Sequence, residues 1–325
     1  EAGWAVEVRS PGDTFPVPDA ATLAHAAEVI AALPDGALVV ADGLAFGALP
    51  DLAAVHACRL RWVALVHHPL SFEAGLSEST RAALFDSERR ALVHARHVVV
   101  TSPSTARDLA AFDVTPARIT VIEPGTAPAP FATGGGAGAD ATSLLCVATV
   151  TARKGHAVLI DALAGLADRR WALHCAGSLA RDDAAVAAVQ TAAMQHGLQD
   201  RIVWHGEVDT PALDALYAQA DAFVLPSLHE GYGMALAEAL ARGLPVVSSI
   251  AGAIPDTVPA DAGLLVPPGD AVALRAALRR LMDEPALRVA LAAGARAAAE
   301  RLPTWPQAVS RFASVLQQVA GNAAP

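Results

Sequence analysis

The sequence predicts an α/β protein made of two doubly wound domains, each built on a parallel sheet. Short β-branched runs alternate with longer alanine-rich amphipathic runs, a pattern typical of parallel strands connected by helices. At 325 residues, the chain is longer than one hydrophobic core usually serves. A proline- and glycine-rich stretch over residues 126–138 interrupts the alternation. We interpret it as the boundary between the two domains.

The first domain is predicted over residues 1–128. Its strands are expected at Ala5–Arg9, Ala37–Ala41, Trp62–His67, His97–Thr101 and Ile119–Ile122. Its helices are expected at about Ala20–Leu33, Ser79–His94 and Ser104–Phe112. Each strand is short and rich in apolar or β-branched residues, as a buried parallel strand requires.

The second domain is predicted over residues 143–303, after a linker at 129–142. Its strands are expected at Leu144–Ala148, Trp171–Ala176, Ile202–Trp204, Ala222–Leu225, Val246–Ser248 and Gly263–Val266. One helix is expected over Met234–Arg242. The last helical segment, 304–321, can pack on either domain, and we assign it to the first.

Composition limits the partners of this chain. A net charge of −10 counts against nucleic acid as a partner. We find neither a transmembrane run nor a secretory signal, so we expect a cytoplasmic protein with at most peripheral membrane contact. We interpret the three widely spaced cysteines as small core residues in a reducing compartment: Cys58, Cys146 and Cys175. A basic group in the first domain is interpreted as a solvated helix face: Arg81, Arg89, Arg90 and Arg96.

The most informative motif is the segment that runs from Pro226 to Glu238, Pro-Ser-Leu-His-Glu-Gly-Tyr-Gly-Met-Ala-Leu-Ala-Glu. It follows a predicted strand and opens a predicted helix, with glycines at the corner. Backbone N–H groups and the helix dipole attract an anion at such a corner. Glu230 and Glu238 can then accept hydrogen bonds from hydroxyls on either side of that anion. An anion flanked by two polyols describes a nucleotide sugar.

A second signal is Lys154, the single lysine of the chain, which follows a predicted strand next to Arg153. A compact ammonium group suits a shared phosphate oxygen, and a neighbouring guanidinium can hold a second oxygen. An ordinary surface lysine is the alternative interpretation.

Two further polar groups have competing interpretations. His67 and His68 end a predicted strand of the first domain, where ligands of parallel sheets bind; capping of backbone carbonyls is the alternative. Asp182 and Asp183 could suggest a metal, but they open a predicted helix, and a helix N-terminus explains them better. We find no carboxylate cluster typical of a metal site.

The run from Tyr217 to Val247 resembles the signature of the retaining glycosyltransferases of family 4. The likeness continues through residues 252–256 and 263–270, and covers essentially the whole second domain. It is looser in the first domain, where it is carried by residues 66–69, 101–104 and 121–125. The resemblance implies the GT-B fold, in which two Rossmann-like domains face each other across a cleft.

The resemblance also implies roles for individual residues. Glu230 is expected to hold hydroxyls of the donor sugar, and Glu238 the ribose hydroxyls. Lys154 is expected to neutralise the diphosphate leaving group, and His67 to face the reacting sugar from the other domain. The backbone around the corner is expected to meet the sugar and the diphosphate: Gly231, Tyr232, Gly233, Met234 and Ala235. Members of the family transfer sugars with retention and generally without a catalytic metal.

Two departures from the family pattern affect these expectations. Many relatives carry Gly-Arg-Leu where this chain has Ala148-Thr149-Val150, so Arg153 is our candidate for the missing arginine. The opening segment, Glu1 to Val8, resembles the end of the family's first helix and its second strand. We therefore expect the family's first strand and glycine-rich loop to be absent from this sequence.

The sequence predicts a retaining glycosyltransferase that uses a UDP-, GDP- or ADP-sugar donor and no cofactor. The acceptor is a sugar, a lipid-linked group or a small molecule that the sequence does not identify. A nucleotide-sugar epimerase or hydrolase of the same fold is one alternative. A non-catalytic nucleotide-sugar-binding protein is the other.

Overall fold

The computed structural model describes residues 3–73, 75–138 and 141–321, and the chain divides into two compact units. The first unit runs up to Pro124 and includes the segment from Trp305 onward; the second is Gly125–Thr304. Each unit contains one parallel sheet with helical connections, so the predicted α/β class is confirmed.

The first unit has a four-stranded parallel sheet in the order β1-β2-β3-β4. Its strands are β1 Leu38–Asp42, β2 Arg61–Val66, β3 His97–Val100 and β4 Ile119–Val121. Its first helices are α1 Ala20–Ala31, α2 Gly43–Phe46, α3 Pro50–His56, α4 Glu78–Leu92 and α5 Pro103–Asp108. In register, Asp42 lies opposite Leu65 and Val66 lies opposite Val100. The carboxyl ends of β1, β2 and β3 therefore meet at one edge of the sheet.

The predicted strand at Ala5–Arg9 is wrong. This segment has no sheet pairing, and its two valines, Val6 and Val8, are 79% and 91% exposed. Alternating apolar residues form a strand only where a neighbouring strand satisfies the backbone and a core covers one face. Neither condition is met along this segment.

The second unit has a six-stranded parallel sheet in the order β10-β9-β8-β5-β6-β7. Its strands are β5 Thr142–Val147, β6 Trp171–Ala176, β7 Ile202–Gly206, β8 Ala222–Leu225, β9 Val246–Ser249 and β10 Gly263–Val266. Its helices are α6 His156–Ala164, α7 Asp183–Gln195, α8 Thr210–Gln219, α9 Met234–Ala241, α10 Ile254–Thr257, α11 Ala271–Asp283 and α12 Pro285–Ala299. Every residue of β8 and β9 is buried, as expected for central strands covered on both faces.

The proline- and glycine-rich segment is attached to the second unit. The backbone N–H of Ala132 donates to the Arg242 carbonyl at 2.8 Å, and that of Gly136 donates to the Gln219 carbonyl at 2.9 Å. Residues 139 and 140 of the predicted linker lie outside the described residues, and β5 begins at Thr142.

The last described helix, α13 Trp305–Gly321, belongs to the first unit. Its buried residues Ala308, Val315 and Val319 pack with Val63 of β2 and Val99 of β3. This helix thus covers one face of the first sheet. Across the described residues, none of the helices has the length and apolar character needed to span a membrane.

Two surface interpretations have different outcomes. The arginines of α4 are paired within the unit: Arg90 with Asp51 at 2.5 Å, and Arg89 with Asp113 at 3.2 Å, as expected of a solvated helix face. The interpretation of Cys58 as a core residue is wrong, because it lies exposed in the turn after α3, whereas the other two cysteines are buried.

Candidate functional site

The corner between β8 and α9 has the strand-turn-helix form that the sequence predicts. Gly233 stands directly before α9 with φ +90°, a left-handed conformation that favours glycine. A Cβ at this position would lie 2.7 Å from Cδ1 of Leu236. The sharp turn therefore needs glycine, and it sets the first turn of α9 against the loop that carries Glu230.

Glu230 is the most firmly held side chain of this corner. It is only 6% exposed, and its Oε1 lies 2.7 Å from Nζ of Lys154 and accepts a hydrogen bond from the Ser227 hydroxyl, also at 2.7 Å. Its Oε2 lies 3.6 Å from NH1 of Arg153. A buried carboxylate needs such compensation, because desolvation of its charge is costly.

The backbone of this loop is equally constrained. The Glu230 carbonyl accepts a hydrogen bond from the Ala253 N–H at 2.8 Å. Gly252 has φ +57°, and a Cβ there would lie 2.3 Å from the Glu230 carbonyl oxygen. The turn after β9 thus holds the backbone of Glu230 in place.

Lys154 and Arg153 reach Glu230 through a second tight turn, which follows β5. The one-turn 3₁₀ helix Ala152–Lys154 ends at Gly155, where φ is +72° and a Cβ would lie 2.1 Å from the Pro226 carbonyl oxygen. NH1 of Arg153 donates to the His229 carbonyl at 3.0 Å. The structure therefore brings together two motifs that are 76 residues apart. It adds that Lys154 is ion-paired with Glu230, which the sequence did not reveal.

Glu238 lies inside α9, where it accepts a hydrogen bond from the hydroxyl of Tyr217 at 3.1 Å. Tyr217 is fully buried, and the guanidinium of Arg242 covers its ring at 4.2 Å. Burial first, and then the Glu238 carboxylate, raise the pKa of Tyr217 well above its ordinary value. Tyr217 opens the run that resembles the family signature, but the sequence indicates no role for it, because its contact with Glu238 depends on the packing of α8 against α9.

The other predicted residues of the corner differ in exposure. Tyr232 is buried, and its carbonyl accepts a hydrogen bond from the Thr257 hydroxyl at 2.6 Å. Met234 is exposed, whereas Gly231 and Ala235 are partly buried. Their contacts with a donor remain predictions.

In the first unit, His67 follows β2 at the carboxyl edge of the sheet. Its Nε2 lies 3.5 Å from Oδ2 of Asp42, and both side chains are about half exposed. Hydrogen bonding to His67 is the largest cause that lowers the pKa of Asp42 below its ordinary value. The sequence does not identify Asp42 as a partner of His67, because the pair forms only where β1 and β2 are neighbours in the sheet. The predicted role of His67 remains a prediction.

The loop after His67 is fixed by a buried acid. Glu88 of α4 is 1% exposed, and its Oε2 accepts the backbone N–H of Leu70 at 2.8 Å, whereas its Oε1 has no hydrogen-bond partner among the described residues. Burial raises the pKa of Glu88 to about 8. This carboxyl group therefore favours its protonated form near neutral pH.

Two other candidates have structural explanations. Oδ1 of Asp182 accepts the Ala185 N–H at 2.9 Å and caps α7, and the described part of the chain has no group of three or more potential metal ligands.

A cavity of about 570 Å³ is lined by Arg201 and Trp171, at the start of β6. Arg201 lies 3.8 Å from the Trp171 ring and donates to backbone carbonyls, so it stabilises the fold there.

Comparison with known families gives a match for each unit. The family described as Glycosyl transferases group 1 matches residues 141–284, and Glycosyltransferase Family 4 matches residues 5–129. The matches cover most of the chain.

Among individual proteins, a D-inositol 3-phosphate glycosyltransferase of Xylanimonas cellulosilytica is 34% identical over 180 residues, which are 55% of this chain and 43% of that protein. An MMP alpha-(1->4)-mannosyltransferase of Mycolicibacterium hassiacum is 32% identical over 130 residues, which are 39% of this chain and 32% of that protein. The matched regions thus span less than half of either relative.

Solved structures agree in fold. A sucrose-phosphate synthase of Thermosynechococcus elongatus superposes with a TM-score of 0.78 at 25% identity, over 92% of this chain and 78% of the other. Anabaena HepE in complex with UDP-glucose superposes with a TM-score of 0.76 at 19% identity, over 91% and 82%. With both units matched in sequence and the fold shared with these proteins, the chain belongs to the family 4 glycosyltransferases and has the GT-B fold.

Proposed function

We propose that this protein transfers a sugar from a nucleotide-diphosphate sugar to a hydroxyl acceptor with retention of the anomeric configuration. The proposal rests on one observation. Lys154 and Arg153 converge on Glu230 beside the N-terminus of α9, which Gly233 precedes. Two cations and a helix N-terminus can meet a diphosphate there, next to a carboxylate that can accept hydrogen bonds from sugar hydroxyls.

The main chemical task is to stabilise the negative charge that develops on the leaving diphosphate. Lys154 and Arg153 are set in a tight turn, so their charges need little reorganisation when the bond to the sugar breaks. Nζ of Lys154 lies 2.7 Å from Oε1 of Glu230. A bound diphosphate would share this ammonium with Glu230, which keeps Ser227 as a second partner.

The two carboxylates of the motif are suited to the two polyols of the donor. We assign the sugar hydroxyls to Glu230 and the ribose hydroxyls to Glu238. Tyr217 donates to Oε2 of Glu238 and so fixes the orientation in which this carboxylate meets the ribose. Hydrogen bonds to a charged, oriented carboxylate are stronger than those between neutral groups.

Retention is proposed to proceed by attack on the face from which the diphosphate departs. Glu230 is poorly suited to act as a covalent nucleophile, because Lys154, Ser227 and Arg153 already engage its two oxygens. The departing phosphate oxygen can instead accept the proton of the attacking hydroxyl. In this proposal the cationic side chains supply the positive charge that a divalent metal supplies in other sugar transferases.

The names of similar proteins support a nucleotide-sugar donor without identifying the acceptor. HepE was solved with UDP-glucose, and the relatives are named for transfer to D-inositol 3-phosphate and for an alpha-(1->4)-mannosyl linkage. We propose a sugar, a lipid-linked group or a phosphorylated polyol as the acceptor class.

Product analysis tests the proposed reaction. The protein is incubated with UDP-, GDP- and ADP-sugars and with an acceptor panel that includes D-inositol 3-phosphate, and the products are followed by NMR. We expect a glycoside with the anomeric configuration of the donor, formed only when an acceptor is present. Release of free sugar or an epimerised donor would favour the hydrolase or epimerase alternative, and an inverted product would exclude the retaining mechanism.

A further inference from the structure

A carboxylate and an imidazole meet at the carboxyl edge of the first sheet. Asp42 is the last residue of β1, and His67 is the first residue after β2, the parallel neighbour of β1. Ligands of doubly wound proteins bind at this edge of the sheet. The distance between Oδ2 of Asp42 and Nε2 of His67 is 3.5 Å.

The backbone of His67 is fixed independently of this pair. The hydroxyls of Thr101 and Thr105 both donate to the His67 carbonyl, at 3.1 and 3.2 Å. The main remaining freedom of His67 is the rotation and tautomeric state of its ring. Asp42 can limit both the rotation and the tautomeric state, because its carboxylate lies beside the ring.

Asp42 is itself held in place by its other oxygen. Oδ1 accepts the backbone N–H of Leu44 at 2.8 Å and caps the short helix α2, which leaves Oδ2 for His67. The lowered pKa of Asp42 keeps this carboxyl group ionised at neutral pH. An ionised carboxylate only accepts hydrogen bonds, so a favourable contact requires a proton on Nε2 of His67.

We propose that Asp42 is a positioning residue for His67, which holds the Nε2–H tautomer of the imidazole and leaves Nδ1 without a proton in the neutral ring. The pairing stands on the contacts within the first unit. Its consequence for sugar transfer rests on the proposed function.

The substitution Asp42→Asn tests the pairing while it preserves the helix cap. Asparagine caps helices as well as aspartate does, but its amide N–H₂ would face Nε2 of His67 and favour the opposite tautomer. Nitrogen-15 NMR of the His67 ring should show the Nε2–H form in the unaltered protein and an increase of the Nδ1–H form in the variant. Asp19→Asn is the matched control, because Asp19 caps α1 through Thr22 at 2.7 Å and should leave the His67 ring unchanged.

The kinetic part of the test separates positioning from folding. We expect Asp42→Asn to lower kcat by up to about a hundredfold, the loss that a misplacement of about 1 Å can cause, with the donor KM unchanged. Adding the substitution to His67→Ala should cause no further loss.

An Nδ1–H ring in the unaltered protein, or the same tautomer in Asp42→Asn, would overturn the proposal. So would additive losses of kcat in the double variant. If the unaltered protein transfers no sugar with any donor, the proposed function fails, and the NMR measurement still decides the pairing.

Discussion

At the scale of the residue, the candidate donor site depends on charges that compensate one another. Glu230 is nearly excluded from solvent, and Lys154 is its closest cationic partner. Removal of one partner from a buried ion pair leaves an uncompensated charge, which costs more than the pair contributes. The same pair that is proposed to bind the donor therefore also stabilises the loop.

The pair makes a testable prediction for stability. We expect Lys154→Met to lower the free energy of unfolding by about 2–3 kcal/mol, less than the full cost of a broken buried pair because Ser227 and Arg153 remain. Adding Glu230→Gln should restore most of this loss, because the neutral amide needs no cation. Urea denaturation of the two single variants and the double variant measures the coupling. Simple addition of the two single effects would show that the two residues do not stabilise each other.

A second prediction concerns the orientation of Glu238. Tyr217→Phe removes the hydroxyl that donates to Glu238 at 3.1 Å while the buried ring stays in place. We expect nucleotide affinity to weaken by about tenfold, equivalent to one hydrogen bond to a charged group. Calorimetric titration with the nucleotide that binds the parent measures the change. Unchanged affinity would mean that Tyr217 serves only the core.

At the scale of the element, two loops hold the functional groups, and Gly252 and Glu88 each support one of them. Gly252 lies under the Glu230 carbonyl, where a Cβ would be 2.3 Å from the oxygen. We expect Gly252→Ala to displace the Glu230 loop and abolish nucleotide binding. Gly197→Ala is the matched control, because Gly197 also has a positive φ, +66°, but open space around it. Backbone strain should cost the control stability of about 1–2 kcal/mol, and its nucleotide affinity should match that of the parent.

The loop after β2 depends on Glu88, and its stabilisation should depend on pH. Burial raises the pKa of Glu88 from 4.5 to about 8 in the folded chain. Its contribution is therefore fully present below pH 4.5 and falls as the pH rises through about 8, because the unfolded chain releases the proton first. The slope within this window is at most about 1.4 kcal/mol per pH unit.

Glu88→Gln provides the comparison for this prediction, because its amide oxygen can accept the Leu70 N–H without ionising. We expect hydrogen exchange at the Leu70 amide, corrected for its intrinsic pH dependence, to accelerate with rising pH in the parent but not in the variant. Equal pH dependence in the two proteins would contradict a protonated Glu88.

At the scale of the whole molecule, local patterns in the sequence predict most of the fold. Ala222–Leu225 is a fully buried apolar run and Gly263–Val266 a partly buried one, and the structure forms both strands over the predicted residues. The segment around Val6 and Val8 has the same local character without a neighbouring strand, so the local pattern misleads there. Strand pairing is a property of distant residues that a local run does not contain.

The same distinction applies to the candidate site. Lys154 and Glu230 could be selected from their turns and residue types, because each turn is a local feature. Their ion pair depends on the neighbouring positions of β5 and β8. Asp42 could not be selected at all, because its meaning comes from His67 at the end of the adjacent strand.

The proposed donor site requires that the second unit binds a nucleotide diphosphate through Lys154 and Glu238. Thermal unfolding of the whole chain with UDP, GDP and ADP tests it most directly, with Lys154→Ala, Glu238→Ala and the control Glu284→Ala, whose surface ion pair with Arg280 lies outside the site. A ligand that binds only the folded state raises Tm with its concentration. We predict that one nucleotide raises the Tm of the parent and the control, and that both site variants lose this shift. A shift retained in Lys154→Ala and Glu238→Ala, or no shift with any nucleotide, would contradict this donor site.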